Sequence, residues 1–287
     1  MLPTLFVLKL GSYEFPLNTF GLFGAFGILL GSWLGTWLAK KNGFGADQAL
    51  DIVLAHIVGV VVGSKLLQLV AEWDHYQHDP WSILSLKEIG VFYGGLLGSA
   101  TAVTIRCRIK KWDVWKAADM MAPSFALAHA LSRLGCFSAG CCYGRPTTSD
   151  FGVAFPSVSM AYQTLLHSHP KLINDAHTVP LIPTQLLEAG FEFTMAGLLT
   201  VLFFVGLKKE WRAGWIVIFW VGPYSIFRFL IEGVRFDAER GTVFGLMSTS
   251  QFIGAGLIIA CIVGAIYLYK NPNPVHDGDK KQNDDAD

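Results

Sequence analysis

The chain of 287 residues is 52% hydrophobic and only 15% charged, with a mean hydropathy of +0.43. A water-soluble domain of this length carries about a quarter charged residues, so the composition excludes an ordinary soluble enzyme and points to a membrane protein. Twenty-two basic residues balance 22 acidic ones; with no basic excess, no nucleic-acid partner is expected.

The N-terminal stretch MLPTLFVLKLGSYEF alternates like a strand or an interfacial segment, and it lacks the basic leader and apolar core of a cleavable signal peptide. Long uncharged runs follow at 17–39, 49–71, 90–105, 117–137, 185–206, 214–231 and 249–269. A helix crosses the hydrocarbon with about 20 apolar residues, so these runs predict an all-α integral membrane protein of about seven transmembrane helices. Lys40 and Lys41 follow the first run, and Arg106, Arg108, Lys110, Lys111 and Lys116 lie between the third and fourth. Lys208, Lys209 and Arg212 lie between the fifth and sixth, and Lys270 follows the seventh. The loop after the second run, EWDHYQHDP, is acidic and holds no Lys or Arg. The positive-inside rule therefore places the N-terminus outside and the C-terminus in the cytoplasm. The longest loop, 143–184, then faces outward and is long enough to cap a site. No internal repeat is evident. One polytopic membrane domain is expected over 1–270, followed by a polar cytoplasmic tail, 271–287, whose composition predicts disorder.

Ionisable residues inside or beside these runs are the functional candidates, because each costs at least ~2.5–3.5 kcal/mol at the bilayer centre. They are Lys65, Arg133, Glu188, Arg228 and Glu232, with Arg235 a turn beyond. Arg228, Glu232 and Arg235 recur at i, i+4 and i+7, on one helix face. An intrahelical ladder accounts for them in part, but two arginines on different helices call for more acids than are nearby in sequence. Arginine presents a planar fork suited to phosphate or carboxylate, and in a bilayer that oxyanion is a lipid headgroup. A phosphate-binding cavity open to the outer face is expected. The glycines of YGGLLGS at 93–99 fit such a cavity, and equally fit close helix packing.

The segment HALSRLGCFSAGCCYGRP sets Cys136, Cys141 and Cys142 beside Arg133. The spacing C-x4-C-C is not a standard zinc pattern. Packing at a helix junction, a disulfide on an oxidising outer face and thiol redox work remain open readings, the last without a C-x-x-C motif. Cys107 and Cys261 read as bystanders.

At these residues the chain resembles the bacterial prolipoprotein diacylglyceryl transferases, seven-span enzymes of the inner membrane. The resemblance runs from about Phe20 to Gln251. SRLGCFSAGCCYGR matches the family signature at Arg133, Gly135, Phe137, Gly140, Gly144 and Arg145. IPTQLLE preserves Pro183, Gln185 and Glu188, and the Phe-Arg-Phe-x-x-Glu-x-x-Arg piece is intact as Phe227, Arg228, Phe229, Glu232 and Arg235. Ser248 and Gln251 match a closing Ser-x-x-Gln; FGVAFP resembles part of the outer loop, and GSK at 63–65 resembles a Gly-x-Arg. The chain departs from the pattern at four positions. Tyr93 stands where the family usually has a histidine before Gly94 and Gly95, Cys136 stands for an asparagine, Cys141 for a glutamate and Phe20 for a tyrosine.

The resemblance implies transfer of diacylglyceryl from phosphatidylglycerol to the lipobox cysteine of a prolipoprotein signal peptide, in the bacterial plasma (inner) membrane, without a cofactor or metal. On that reading Arg133 and Arg228 hold the phosphate and stabilise charge on the leaving oxygen. Tyr93 or His129 stands in for the missing histidine. Lys65, Gly94, Gly95, Gly135, Gly144, Gln185, Glu188, Glu232 and Arg235 form the substrate pocket. The alternative is a divergent relative that binds an anionic headgroup with altered specificity or no catalysis. A transporter is disfavoured by the absence of repeats and paired broken helices.

Overall fold

The computed structural model describes residues 4–10, 13–77, 79–84, 92–236, 242–243 and 247–271; the tail expected to be disordered lies, from 272 on, outside them. In chain order, an antiparallel hairpin of β1 (Thr4–Leu10) and β2 (Tyr13–Asn18) leads into α1 (Thr19–Lys41) and α2 (Ala46–Ala71). The single turn α3 (Trp73–Tyr76) and a 3-10 turn at Pro80–Leu84 precede α4 (Phe92–Lys110) and α5 (Val114–Ala139). Then come α6 (Met160–Ser168), a 3-10 turn at Pro170–Leu172, α7 (Thr184–Lys208) and α8 (Trp215–Glu232). A short pair, β3 (Thr242–Val243) with β4 (Met247–Ser248), closes onto α9 (Thr249–Lys270). The helical architecture agrees with the expectation, and two small antiparallel pairs accompany the helices, the first on the N-terminal segment whose alternation had the period of a strand.

Each of the seven apolar runs is a helix, and α1, α2, α7, α8 and α9 are long and apolar enough to cross a membrane. The chain is a multi-pass membrane protein. The two remaining long helices carry more charge, α4 at Arg106, Arg108 and Lys110 and α5 at Lys116, Asp119 and Arg133. Large apolar side chains such as Leu54, Val58, Val61, Val70, Ile259 and Val263 are exposed on the helix surfaces, the inverse of a soluble bundle and the pattern expected where lipid is the solvent.

Local signals explain where helices begin and end. Asp113 caps α5, accepting from the backbone N–H groups of Trp115 (2.8 Å) and Lys116 (3.1 Å). Gly140 ends α5 in the left-handed region, φ +76°. Ser248 and Gln251 form a reciprocal capping box at the start of α9, at 3.2 and 3.1 Å, so the closing Ser-x-x-Gln motif does structural work. Gly214, at the start of α8, has no side chain to offer; Asp119 of α5 supplies the cap, accepting from the N–H groups of Gly214 (2.7 Å) and Val217 (2.9 Å).

Helix α5 is the centre of the assembly, packed against α1, α7, α8 and α4, while α2 pairs with α4 and α8 with α9. The α2–α4 contact is made by glycines. A Cβ placed on Gly98 would lie 2.2 Å from the Gly59 carbonyl oxygen and 2.7 Å from the Gly63 Cα, and one on Gly94 would lie 2.3 Å from the Gly63 carbonyl oxygen. These are backbone atoms, so only whole-helix separation relieves the clash. Gly98→Val is expected to abolish recovery of monodisperse protein from detergent extracts. Gly190→Ala, whose new methyl meets nothing within 4 Å, should preserve it, and equal recovery of the two would refute the tight crossing.

Between α5 and α7 the chain folds into a cap. Tyr143, Phe155, Ala161, Leu165 and Leu181 form its own small core, tied by backbone bridges between Val153 and Leu181 and between Pro156 and His177. A further bridge, Gly144 to Arg235, pins the cap to the chain leaving α8.

Candidate active site

The centre of the site is Glu188, on the first turns of α7 and wholly buried. Three arginines from different parts of the chain converge on its carboxylate. Arg133 of α5 places Nε 2.9 Å from Oε2. Arg235 and Arg228 place Nη1 3.5 and 4.0 Å from Oε1. Arg228 also pairs with Glu232 one turn on, at 2.8 Å, and its Nη2 donates to Ser250 Oγ of α9 (3.4 Å). Glu188 and Glu232 thus face three guanidiniums.

The single Nε–H of Arg133 is aimed at His129 Nε2, 3.1 Å away, so its contact with Glu188 is ionic without hydrogen-bond alignment. Arginine can only donate; His129 Nε2 therefore accepts, and the proton sits on Nδ1. That nitrogen donates to Glu192 Oε1 at 2.9 Å. Glu192 is itself fixed by the indole N–H of Trp220, 3.1 Å from Oε2. A relay Trp220–Glu192–His129–Arg133 orients the guanidinium from behind. Both ring nitrogens of His129 are engaged in this relay.

Four buried polar atoms among the described residues have no hydrogen-bond partner: Gln185 Oε1, Glu188 Oε2, Ser225 Oγ and Arg228 Nη1. An unsatisfied buried group costs about 1–3 kcal/mol; Ser225 Oγ and Arg228 Nη1 are open donors that an anionic ligand can satisfy, while Gln185 Oε1 and Glu188 Oε2 are acceptors. Arg228 and Ser225 also lie on the wall of an apolar cavity of about 240 Å³ between α4, α8 and α9, otherwise lined by groups such as Leu96, Trp220, Tyr224 and Ile253. Polar unsatisfied groups beside an apolar cavity suit an amphiphile.

The remaining expected residues are dispersed. Gln185 Nε2 donates to the carbonyl of Cys141 at 2.6 Å. Gly144 packs against Ile182 and Thr184, and Gly135 against Phe20 and Phe23. Gly94 faces Gly63, and Gly95 faces Val60. Lys65 contacts Gln68 on its own helix at 3.4 Å. Tyr93 lies in the first turn of α4, and its side chain falls outside the described residues. The expectation that Arg228, Glu232 and Arg235 share one helix face is corrected, because α8 stops at Glu232 and Arg235 follows the Gly233–Val234 turn. Arg235 reaches Glu188 through that turn and the bridge to Gly144. The expectation of too few acids is corrected as well, by Glu188 and Glu192 together. Glu192, Trp220, Ser225 and Ser250 were not expected at the site; for Glu192 the signal was present as a second acid four residues after Glu188 in an apolar run.

Cys136, Cys141 and Cys142 come together at the end of α5. All five cysteines are free thiols, and the three Sγ atoms of this group lie within 4.8 Å of one another. Gly140 and Cys142 are both left-handed, φ +76° and +62°, and fold the chain back over the helix end. Residues of α7 hold the turn: Thr184 Oγ1 donates to the Cys142 carbonyl at 2.5 Å, and Gln185 to that of Cys141. Hydrogen bonds from Cys136 and Cys141 hold the Cys142 thiol well below its ordinary pKa, with Arg235 and Arg133 adding to the effect.

A family model described as prolipoprotein diacylglyceryl transferase matches residues 6–267. A phosphatidylglycerol–prolipoprotein diacylglyceryl transferase 2 of Clostridium perfringens is 33% identical over 273 residues, covering 94% of this chain and 93% of its own length. A phosphatidylglycerol–prolipoprotein diacylglyceryl transferase of Clostridium tetani is 33% identical over 259 residues (90% and 94%). One from a Nostoc species is 26% identical over 261 residues (90% and 87%).

Proposed function

The chain belongs to the prolipoprotein diacylglyceryl transferase family, and on that basis we propose that it transfers diacylglyceryl from phosphatidylglycerol to the lipobox cysteine of prolipoproteins. The observation that carries this reading is the buried cluster around Glu188, with three arginines and two open donors, on Ser225 and Arg228, beside an apolar cavity. A phosphodiester headgroup satisfies the open donors at Arg228 and Ser225, and an acyl chain fits the apolar wall.

In the reaction the cysteine sulfur attacks the glyceryl carbon of the lipid, the bond from that carbon to the phosphate oxygen breaks, and glycerol phosphate leaves with the electron pair. Arg133 and Arg228 stabilise the charge that develops on the departing phosphate, the electrostatic form of catalysis. Holding the lipid by its phosphate also makes attack a positioned rather than a bimolecular event. Glu188 and Glu232 keep the guanidiniums apart and oriented, and His129 positions Arg133. Arg235, Gln185, Gly135, Gly144, Lys65, Gly94 and Gly95 are assigned to the substrate pocket, and Tyr93 to the catalytic group, on the resemblance to the family.

The seven long helices are read as seven spans with the N-terminus outside and the C-terminus cytoplasmic, supported by the basic residues at the ends of α1, α4 and α9. The cap then faces the side from which prolipoprotein signal peptides present their cysteines, in the bacterial plasma membrane. The test is rescue of cells depleted of their own transferase. Recovery of growth and of a diacylglyceryl-modified reporter lipoprotein is expected, and a well-expressed chain that leaves the reporter unmodified would overturn the reading. In the same assay His129→Gln, whose longer side chain can place an amide oxygen near the position of Nε2 to accept from Arg133, is expected to keep more activity than His129→Phe.

A further inference from the structure

We propose that Cys136, Cys141 and Cys142 form a zinc site whose open fourth position takes the substrate's lipobox cysteine as a thiolate. The inference rests on the transferase reading and assigns the activation of its nucleophile. Three thiols with all Sγ atoms within 4.8 Å of one another are close to the edge length of about 3.8 Å that a tetrahedral site with Zn–S distances of about 2.3 Å requires. Three protein ligands and one vacancy are the arrangement of catalytic rather than structural zinc.

The chain is shaped to make this convergence. Residues at C-x4-C-C spacing do not meet on a regular helix; they meet here because α5 ends between them. Gly140 and Cys142 adopt left-handed backbone, a conformation that is unfavourable for a cysteine. Hydrogen bonds from Thr184 and Gln185 to the carbonyls of Cys142 and Cys141 fix the turn. Cys136 is buried while Cys141 and Cys142 are partly accessible. Arg133 and Arg235 lie close enough to act on Cys142 electrostatically, and their charges suit a zinc bound by several thiolates, which is net negative. The site therefore adjoins Arg133, one of the two arginines assigned to the phosphate.

The chemistry closes. A free cysteine thiol is largely protonated at neutral pH, whereas a thiol bound to zinc is deprotonated outright. The lipobox thiol binds zinc and releases its proton to water. A sulfur lone pair then forms the S–C bond to the glyceryl carbon as the C–O bond to phosphate breaks. Glycerol phosphate departs with that electron pair, and the thioether product, a poor ligand for zinc, is released. No oxidant or reductant is involved, and no side-chain base is needed at the position of Tyr93.

The test uses the full chain in lipid nanodiscs, reduced and metal-stripped, then titrated with zinc and separately with cobalt(II). About one zinc per chain is expected for a site of this ligand set, retained in Cys261→Ser and lost in the triple variant C136S/C141S/C142S. The single variant Cys141→Ser should bind zinc at least tenfold more weakly. The cobalt form should show sulfur-to-metal charge-transfer absorption, and its visible bands should shift with a lipobox peptide but not with its Cys→Ser analogue. Diacylglyceryl transfer should fall on stripping and return with zinc. Full transfer by the stripped protein, or zinc binding no different in the triple variant, would overturn the proposal. Absence of transfer from every form, zinc-loaded included, would overturn the transferase reading and with it the substrate step, leaving the metal titration to decide the site alone.

Discussion

Arg133→Ala is expected to lower diacylglyceryl transfer by ~100–1,000-fold, the loss seen when one donor to a developing oxyanion is removed, while the protein still folds and inserts. The tolerance follows from the charges. Without Arg133, Glu188 keeps Arg235 at 3.5 Å and Arg228 at 4.0 Å, so its buried carboxylate stays compensated. His129 loses its donor, but its bond to Glu192 holds the ring. Arg133→Lys is expected to recover little, because the relay from His129 engages Nε while the fork beyond it is free for phosphate, and an ammonium cannot do both. The measurement is the transfer rate to a lipobox peptide at equal amounts of inserted protein. Near-normal rates in Arg133→Ala would remove this arginine from the mechanism.

Glu188→Ala should have the opposite character, failing in stability before activity can be assayed. It leaves three buried guanidiniums, of which Arg228 keeps its pair with Glu232 at 2.8 Å, and removing one partner of a buried ion pair costs about 3–5 kcal/mol. Thermal unfolding in detergent should show a clearly lower midpoint than the parent or Arg133→Ala. Glu188→Gln, which keeps the volume and one acceptor, should fall between them. A midpoint for Glu188→Ala equal to that of Arg133→Ala would mean that Glu188 is not the hub of the charge network.

Much of the architecture was legible because hydrophobic runs in a membrane protein are nearly one-to-one with helices: every run became one, with ends shifted by a few residues toward the basic termini. The arginines and Glu188 were legible for a related reason, since charge in an apolar run is costly and stands out. Pairings were harder. Glu188 meets arginines 55, 40 and 47 positions away in sequence, and no periodicity encodes which guanidinium turns to which oxygen. Arg235 looked like the next step of a helical ladder because spacing does not reveal that α8 ends at Glu232. The cysteines were opaque for the same reason: their convergence depends on two left-handed residues at a helix end, and one of these is a cysteine, a residue type that does not announce a turn. The Gly-Gly and Ser-x-x-Gln motifs show the reverse, with Gly94 and Gly98 in a helix crossing and Ser248 and Gln251 in a cap.

The most direct measurement is mass spectrometry of a lipobox peptide incubated with the purified chain in nanodiscs containing phosphatidylglycerol. The account predicts a peptide heavier by one diacylglyceryl group, with glycerol phosphate released in equal amount, and no product when phosphatidylcholine replaces the lipid or serine replaces the cysteine. Binding of phosphatidylglycerol with no modified peptide would contradict it and identify the arginine cluster as a headgroup site without transfer chemistry.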